Sequence, residues 1–368
     1  MPAALALAES GHRVLVPDAR RGPGHGSHKA AIGGVRATHA DAAKILLGLR
    51  SREILSTWRE RRGDDLEWVT GGYVFPAWRD QEASTLRALL AAQRAAGLDV
   101  RWLDAEALLE VVPDLERRDL VGGTSSASDG HCSPLLAMEA FRAHAVRAGV
   151  ELRFDEPVTG VEVEAGRFVA AVTPRGRHPA RTLVLAAGAW ARELAATWGQ
   201  DLRVRPDAHE AGITEPVAPF LAPLVVDLRP GPGSANVYFF QHQTGQVVFC
   251  LTPAPLAWGD DTRETSSFLP LAADRLLAVM PRLASLRVRR TWRGLYPMTP
   301  DGSPLVGESR EVGGIFVAGG MCGQGFMLGP ALGELVDRVL RDAATDDDRR
   351  VLEALSPYRT FASDERLK

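Results

Sequence analysis

The stretch Gly313–Leu335, GGIFVAGGMCGQGFMLGPALGEL, limits what this chain can fold into more than any other part of it. Ile315–Ala318 is a short apolar run suited to a buried strand; Gly319, Gly320, Gly323 and Gly325 then fall within seven positions, and Pro330 opens a stretch of helical periodicity. The pattern predicts strand, glycine-rich loop, helix. Such a loop turns sharply and comes close to a ligand because no Cβ stands in the way. The following helix would aim its unpaired N–H groups and positive dipole end at the same place, which suits an anion or an electron-rich ring. Pro330 fits a first helical turn, and Leu332, Leu335, Val336, Val339 and Leu340 form one apolar stripe. An ordinary βα unit whose glycines only shape a turn would account for the same residues.

The N-terminus supplies half of a second such unit. Ala3–Ser10 reads as the end of a helix stopped by Gly11, and Arg13–Val16 as a strand leading to Asp18. A carboxylate at the tip of the second strand of a dinucleotide fold holds the adenosine ribose hydroxyls, so Asp18 is a candidate for that role; a solvated loop acid is the alternative. A complete unit would start with an apolar strand and a G-x-G-x-x-G turn, roughly two dozen residues ahead of Ala3 at usual element lengths. Two residues precede it. The expectation is a start placed too late, with a degenerate relative as the alternative.

Between these ends the chain alternates in texture. Gly22–Ala40 is glycine-rich; Asp41–Trp58 and Gln81–Ala96 read as helices, Leu66–Pro76 and Val100–Leu103 as strands, and 120–134 as a polar, turn-rich connection. Asp129, His131 and Cys132 within it read as structural. After the helix Leu135–Ala148, RTLVLAAGAWARELA repeats the strand, glycine, helix theme through Leu183–Ala187, Gly188 and Trp190–Thr197. Val204–Leu286 has Pro- and Gly-rich turns around candidate strands Val237–Gln241 and Gln246–Leu251, which suggests an antiparallel sheet carrying a helix near Leu271–Val279.

The fold class expected is α/β: an FAD/NAD(P)-binding Rossmann-like parallel sheet, incomplete at its N-terminal side, with an antiparallel α+β substrate domain. Residues 1–62, 135–203 and 288–368 are assigned to the first domain, and 63–134 and 204–287 to the second. A formal charge of −3 argues against nucleic acid as a partner. Three distant cysteines suggest neither a disulfide framework nor a metal site, and no apolar run is long enough for a transmembrane segment, so a cytoplasmic protein without a metal is expected.

The segments SGHRVLVPDA, GSHKAAIGGVR, GGYVF, DGHCSP, LVLAAGAWA, WRGLYPMTPDGSPLVGE and GGMCGQGFMLGPALGE together resemble the FAD-dependent oxidoreductases of the D-amino-acid oxidase and glycine oxidase class, most of all the branch of the sarcosine oxidase β-subunit and dimethylglycine dehydrogenase. The resemblance implies a flavin lying extended between a nucleotide-binding sheet and a substrate sheet. Asp18 and Ala19 would hold the ribose, and Ser27, Lys29, Gly33 and Gly34 would pass along the pyrophosphate and ring. Val158 would meet the adenine, while Ala187, Gly188 and Trp190 would wall the ribityl side. Gly320, Gly323, Gln324, Gly325, Phe326 and Met327 would lie by the pyrimidine edge of the flavin.

The same resemblance makes Arg36 the arginine that grips a substrate carboxylate, Tyr296 an aromatic facing the substrate, and Gln324 a catalytic-site polar group where the family often has His. It implies oxidation of an amino acid or N-methylated amine by hydride transfer to flavin N5, with O2 or a partner subunit as electron acceptor. Family members that tether flavin use a Cys, here Gly294, or a His, here Ala30, so the FAD is expected to be non-covalent. A 2-hydroxy acid dehydrogenase of the same fold is the rival enzyme, and a flavin-free pseudoenzyme or partner-binding subunit the rival of another class.

Overall fold

The computed structural model describes residues 1–362 and 367. The chain divides into two units, the first built from Met1–Ala31, Pro134–Asp207 and 295–362, the second from Ile32–Ser133 and Ala208–Gly294 together with Leu367. This division falls at Ala31/Ile32 and places the helix Ala42–Ser56 with the second unit, whereas the sequence reading grouped 1–62.

In the first unit, Leu15–Pro17 pairs in parallel with Glu151–Arg153, and Leu183–Leu185 pairs in parallel with Ile315–Gly319, whose other edge takes Leu305–Glu308 antiparallel. Among the described residues no strand joins these two sets, which form separate sheets. The unusual Pro17 has a local explanation. Asp18 N donates to Arg153 O and Glu151 N to Val14 O, so even-numbered residues face this partner. The Pro17 nitrogen therefore turns to the edge that has no strand partner among the described residues, where no donor is missed.

The helix after the glycine loop runs Gly325–Leu340, so Pro330 lies inside it rather than opening it. Gly329 makes this tolerable, because a residue without Cβ relieves the clash that proline imposes on its predecessor. The remaining cost is the Phe326 carbonyl, which loses its i+4 donor. The helix packs tightly on Pro2–Glu9: a Cβ at Gly333 would stand 2.6 Å from Ala3 N.

The second unit is built on an eight-stranded sheet in the order Val288–Met298, Arg205–Thr214, Val247–Pro253, Ser234–Gln241, Leu224–Asp227, Tyr73–Ala77, Gly122–Ser126, Arg101–Asp104. It is mixed rather than purely antiparallel, because Leu224–Asp227 runs parallel to Tyr73–Ala77. Two sequence expectations are corrected here. The strand expected over Leu66–Pro76 starts only at Tyr73, and the connection expected over 120–134 contains the strands Gly122–Ser126 and Gly130–His131.

Alternation along the strands gives the sheet two apolar faces. Val74, Val225, Val237, Phe239, Phe249 and Leu251 pack with Phe268, Ala272, Leu276 and Val279 of the helix Phe268–Val279. Tyr73, Phe75, Leu224, Val226, Phe240 and Val248 form a second cluster with Ala83, Leu86 and Leu367.

Candidate active site

In the first unit the glycine loop is docked onto the chain that leads into it. Cys322 N donates to Pro297 O at 3.1 Å, Thr299 N donates to Cys322 Sγ at 3.3 Å, and the Cys322 thiol reaches Gly320 O at 3.1 Å. Positive φ at Gly320, Cys322 and Gly323 lets the loop double back before the helix starts. Gly323 is sterically obligatory: a Cβ there would stand 2.1 Å from the Tyr296 ring. The sequence-predicted residues Tyr296, Gly320 and Gly323 are thus brought together.

Gln324 is the N-cap of the helix and caps it with no side-chain bond. Its side chain is buried, and its Oε1 has no hydrogen-bond partner among the described residues. Because the helix begins at Gly325, its positive end lies at Gln324–Met327 themselves, about a turn and a half nearer the loop than Pro330 suggested. Phe326, in the first turn, meets His28 edge to face at 5.6 Å between ring centroids. His28 Nε2 donates to Pro134 O at 2.7 Å, and burial holds its imidazole below the ordinary histidine range against the opposing effect of that bond. This contact places the segment of Ser27 and Lys29 beside Phe326.

The N-terminal strand carries the other predicted cofactor residues of this unit. Asp18 Oδ1 accepts Arg20 N at 2.8 Å in a tight turn. The Arg20 guanidinium lies over the Trp190 ring at 4.6 Å, which joins the 18–20 segment to the turn Ala187–Trp190. Gly188 there has φ +57 and open space where a Cβ would be. Ala19, Arg20, Arg21, His25, Lys29 and Asp155 line a cleft of about 270 Å³, dominated by cations. Val158 packs at the margin of the apolar cluster that contains Leu185 and Val317.

The second unit holds Gly33, Gly34 and Arg36. Gly34 pairs with His131, and a Cβ on it would stand 2.0 Å from the Tyr73 hydroxyl, so a side chain is excluded. Arg36 is 7% exposed, and its guanidinium donates to the carbonyl oxygens of Thr38 and, at 2.5 Å, Leu367, with Cζ 5.6 Å from the Phe75 ring centroid. Among the described residues no carboxylate stands within ion-pair distance of it. The segment that follows is fixed by Asp129, which the sequence reading took as structural. This fully buried carboxylate accepts Ala37 N at 3.0 Å, Thr38 Oγ1 at 2.6 Å and Arg52 Nη1 at 3.1 Å. The signal available was the acid of DGHCSP ahead of a turn; its partners lie some ninety residues away in sequence.

Two features fit a flavin dinucleotide. A buried amide whose oxygen has no partner among the described residues stands at the N-terminus of a sixteen-residue helix, and a cation-lined cleft adjoins Asp18 where phosphates need counter-charge.

A family model, DAO, described as FAD dependent oxidoreductase, matches residues 3–338. Glycine oxidase of Geobacillus kaustophilus (strain HTA426) is 28% identical over 90% of this chain and 87% of its own length. Sarcosine oxidase subunit beta of Rhizobium meliloti (strain 1021) is 26% identical over 66% of this chain and 58% of its own. Among solved structures, L-proline dehydrogenase from P. horikoshii superposes with a TM-score of 0.88 at 27% identity, covering 97% of this chain and 94% of its own.

Proposed function

Because the chain belongs to the DAO family of FAD-dependent oxidoreductases, we propose that it binds FAD non-covalently and oxidises an amino acid or N-methylated amine whose carboxylate is held by Arg36. The observation that carries this reading is the state of Arg36. A guanidinium taken out of water is costly unless it meets an anion, and among the described residues this one meets neutral oxygens and an aromatic ring. Its planar fork is the group best shaped to take a carboxylate through two parallel bonds.

When bound, FAD supplies the two-electron sink for the hydride that leaves the carbon beside the substrate nitrogen, after which water converts the imine to a carbonyl compound and an amine. The chain's residues supply position and field. Asp129 fixes Ala37 and Thr38, and so limits where the neighbouring arginine can point. Gly323 leaves room for Tyr296 against the loop. Gln324 offers a neutral polar group, and the N–H groups of the first helical turn from Gly325 offer partial positive charge without an ionisable side chain. Asp18, Ala19, Ser27, Lys29, Gly33, Gly34, Val158, Ala187, Gly188, Trp190, Gly320, Gly325, Phe326 and Met327 are the further residues proposed to line the cofactor. The electron acceptor is proposed to be O2 or a partner subunit, which turnover with O2 against an artificial acceptor would separate.

The test is Arg36→Ala in flavin-loaded protein. Loss of a charge-assisted carboxylate contact of about 2–3 kcal/mol corresponds to a KM raised about 30- to 150-fold, with the flavin absorption per chain unchanged. An unaltered KM would remove the carboxylate role. Purified chain that stays colourless with added FAD would remove the enzyme reading as a whole.

A further inference from the structure

Gln241, Gln93 and Gln200 show what a buried carboxamide looks like when it serves the fold. Gln241 Oε1 accepts Phe220 N at 2.8 Å and Leu221 N at 3.2 Å, and its Nε2 donates to Val217 O, Ala218 O and Gly245 O. Gln93 Nε2 donates to His39 O at 2.9 Å, while Gln200 accepts Trp198 Nε1 at 3.0 Å and donates to the Tyr358 hydroxyl at 2.9 Å. Asn236 differs. It lies on the same strand as Gln241 and is 1% exposed, yet neither its Oδ1 nor its Nδ2 has a hydrogen-bond partner among the described residues. An amide flip would change nothing, since both atoms are open. A carboxamide can donate twice and accept twice, and burying it with nothing to meet it is costly.

Strand alternation shows where this carboxamide points. Along Ser234–Gln241, Val237 and Phe239 pack on the helix Phe268–Val279, so Asn236, Tyr238 and Phe240 take the opposite face. That face carries Phe75, over whose ring the Arg36 guanidinium stands. Tyr238 is paired with Val226, and Leu224 with Tyr73, which sets Phe75, Val226 and Tyr238 in one row across three strands. Asn236 comes two residues before Tyr238, and so lies on the order of 12 Å from Phe75 between Cα atoms.

We propose that Asn236 determines specificity in the substrate site, and that the preferred substrate is an α-amino acid whose side chain ends in a neutral group able to donate and accept hydrogen bonds, a carboxamide first of all. The proposal rests on the reading that Arg36 binds the substrate carboxylate. An α-amine stays too close to its own carboxylate to cross the distance from Arg36 to Asn236, whereas the end of a side chain reaches it. A carboxamide there meets both open atoms at once, its N–H donating to Oδ1 and its oxygen accepting from Nδ2. A hydrocarbon end would leave both unmet, and a charged end would find no counter-charge on Asn236.

The experiment uses the FAD-loaded chain and three carboxylates that carry no oxidisable amine: succinamate, its apolar isostere 4-methylpentanoate and its cationic isostere 3-amidinopropanoate. Calorimetric titration is expected to give succinamate an affinity about tenfold or more above that of 4-methylpentanoate. Asn236→Leu keeps the shape and removes both polar atoms, so it is expected to reverse that order and, as apoprotein, to melt no earlier than the parent. Asn236→Asp is expected to move the preference from succinamate to 3-amidinopropanoate by about tenfold. Equal parent affinity for succinamate and 4-methylpentanoate, or preferences that stay within about twofold of the parent in both variants, overturns the proposal. An Asn236→Leu chain that melts clearly earlier or does not fold marks an amide serving the fold and overturns it too. If Arg36→Gln then still weakens all three probes about tenfold, the carboxylate role of Arg36 survives alone; if Arg36→Gln changes none of them, both fall together.

Discussion

His131 shows how a single buried side chain writes a pH dependence into the second unit. Its ring is 2% exposed, packs on Phe240 at 4.3 Å between centroids, and has no hydrogen-bond partner at either nitrogen among the described residues. Burial first, and the neighbouring His242 second, lower its pKa from 6.5 to about 4. In the unfolded chain the imidazole takes up its proton near the ordinary value, whereas in the fold it remains neutral until about pH 4. The contribution is therefore fully present above pH 6.5 and is lost as pH falls towards 4. Between roughly pH 7.5 and 4.5 the loss is on the order of 2–3 kcal/mol. Urea unfolding at both pH values should show His131→Leu losing less stability than the parent by about that amount; parallel losses in the two proteins would mean that His131 is not the titrating group.

At the scale of elements, the glycine loop and the central strands show opposite degrees of legibility. Strand, loop and helix over 315–340 were readable because each signal is local: an apolar run, clustered glycines, then a stripe of period 3.6. Only the start of the helix was misplaced, since Pro330 carries the usual mark of a first turn and the relief given by Gly329 is a steric matter. Gly122–Ser126, by contrast, reads as a turn because it is glycine, serine and threonine, yet it is a fully buried strand. Its composition answers to close packing. A Cβ on Gly122 would stand 2.3 Å from Leu103 O, and one on Gly123 2.5 Å from Phe75 O. Small residues there admit neighbouring elements, a reason that lies in partners distant along the chain.

The loop itself makes the sharper prediction. Gly323→Ala adds a Cβ at 2.1 Å from the Tyr296 ring and does so at φ +79. Either the ring or the loop must move, and the left-handed backbone adds strain, at a combined cost of about 2–3 kcal/mol. The variant is expected to melt earlier as apoprotein and to retain less FAD on gel filtration. Unchanged melting together with full flavin content would show that the loop does not hold Tyr296 in place.

For the whole molecule the question is which parts depend on the cofactor. The fold class was legible because two strand, glycine, helix crossings and a half unit recur along the chain. The eight-stranded sheet was legible only in pieces, since the parallel pair Leu224–Asp227 with Tyr73–Ala77 links segments about 150 residues apart and neither carries a mark of its partner. Leu367 beside Arg36 had no sequence signal at all. These two architectures have different internal support. The second unit is closed by continuous ladders and apolar packing on both sheet faces. The first has two parallel strand sets with no strand between them among the described residues, and it contains most of the proposed cofactor contacts. A ligand that binds only the folded state stabilises by RT ln(1 + [L]/Kd), about 2.7 kcal/mol at a hundredfold excess over Kd. Removing FAD should therefore withdraw that amount unevenly. Hydrogen exchange is expected to accelerate at residues 18–31, 187–190 and 320–327, while the strands Ser234–Gln241 and Val247–Pro253 keep their protection. Equal acceleration in both units would mean that they open together and that the cofactor stabilises the chain as one cooperative body.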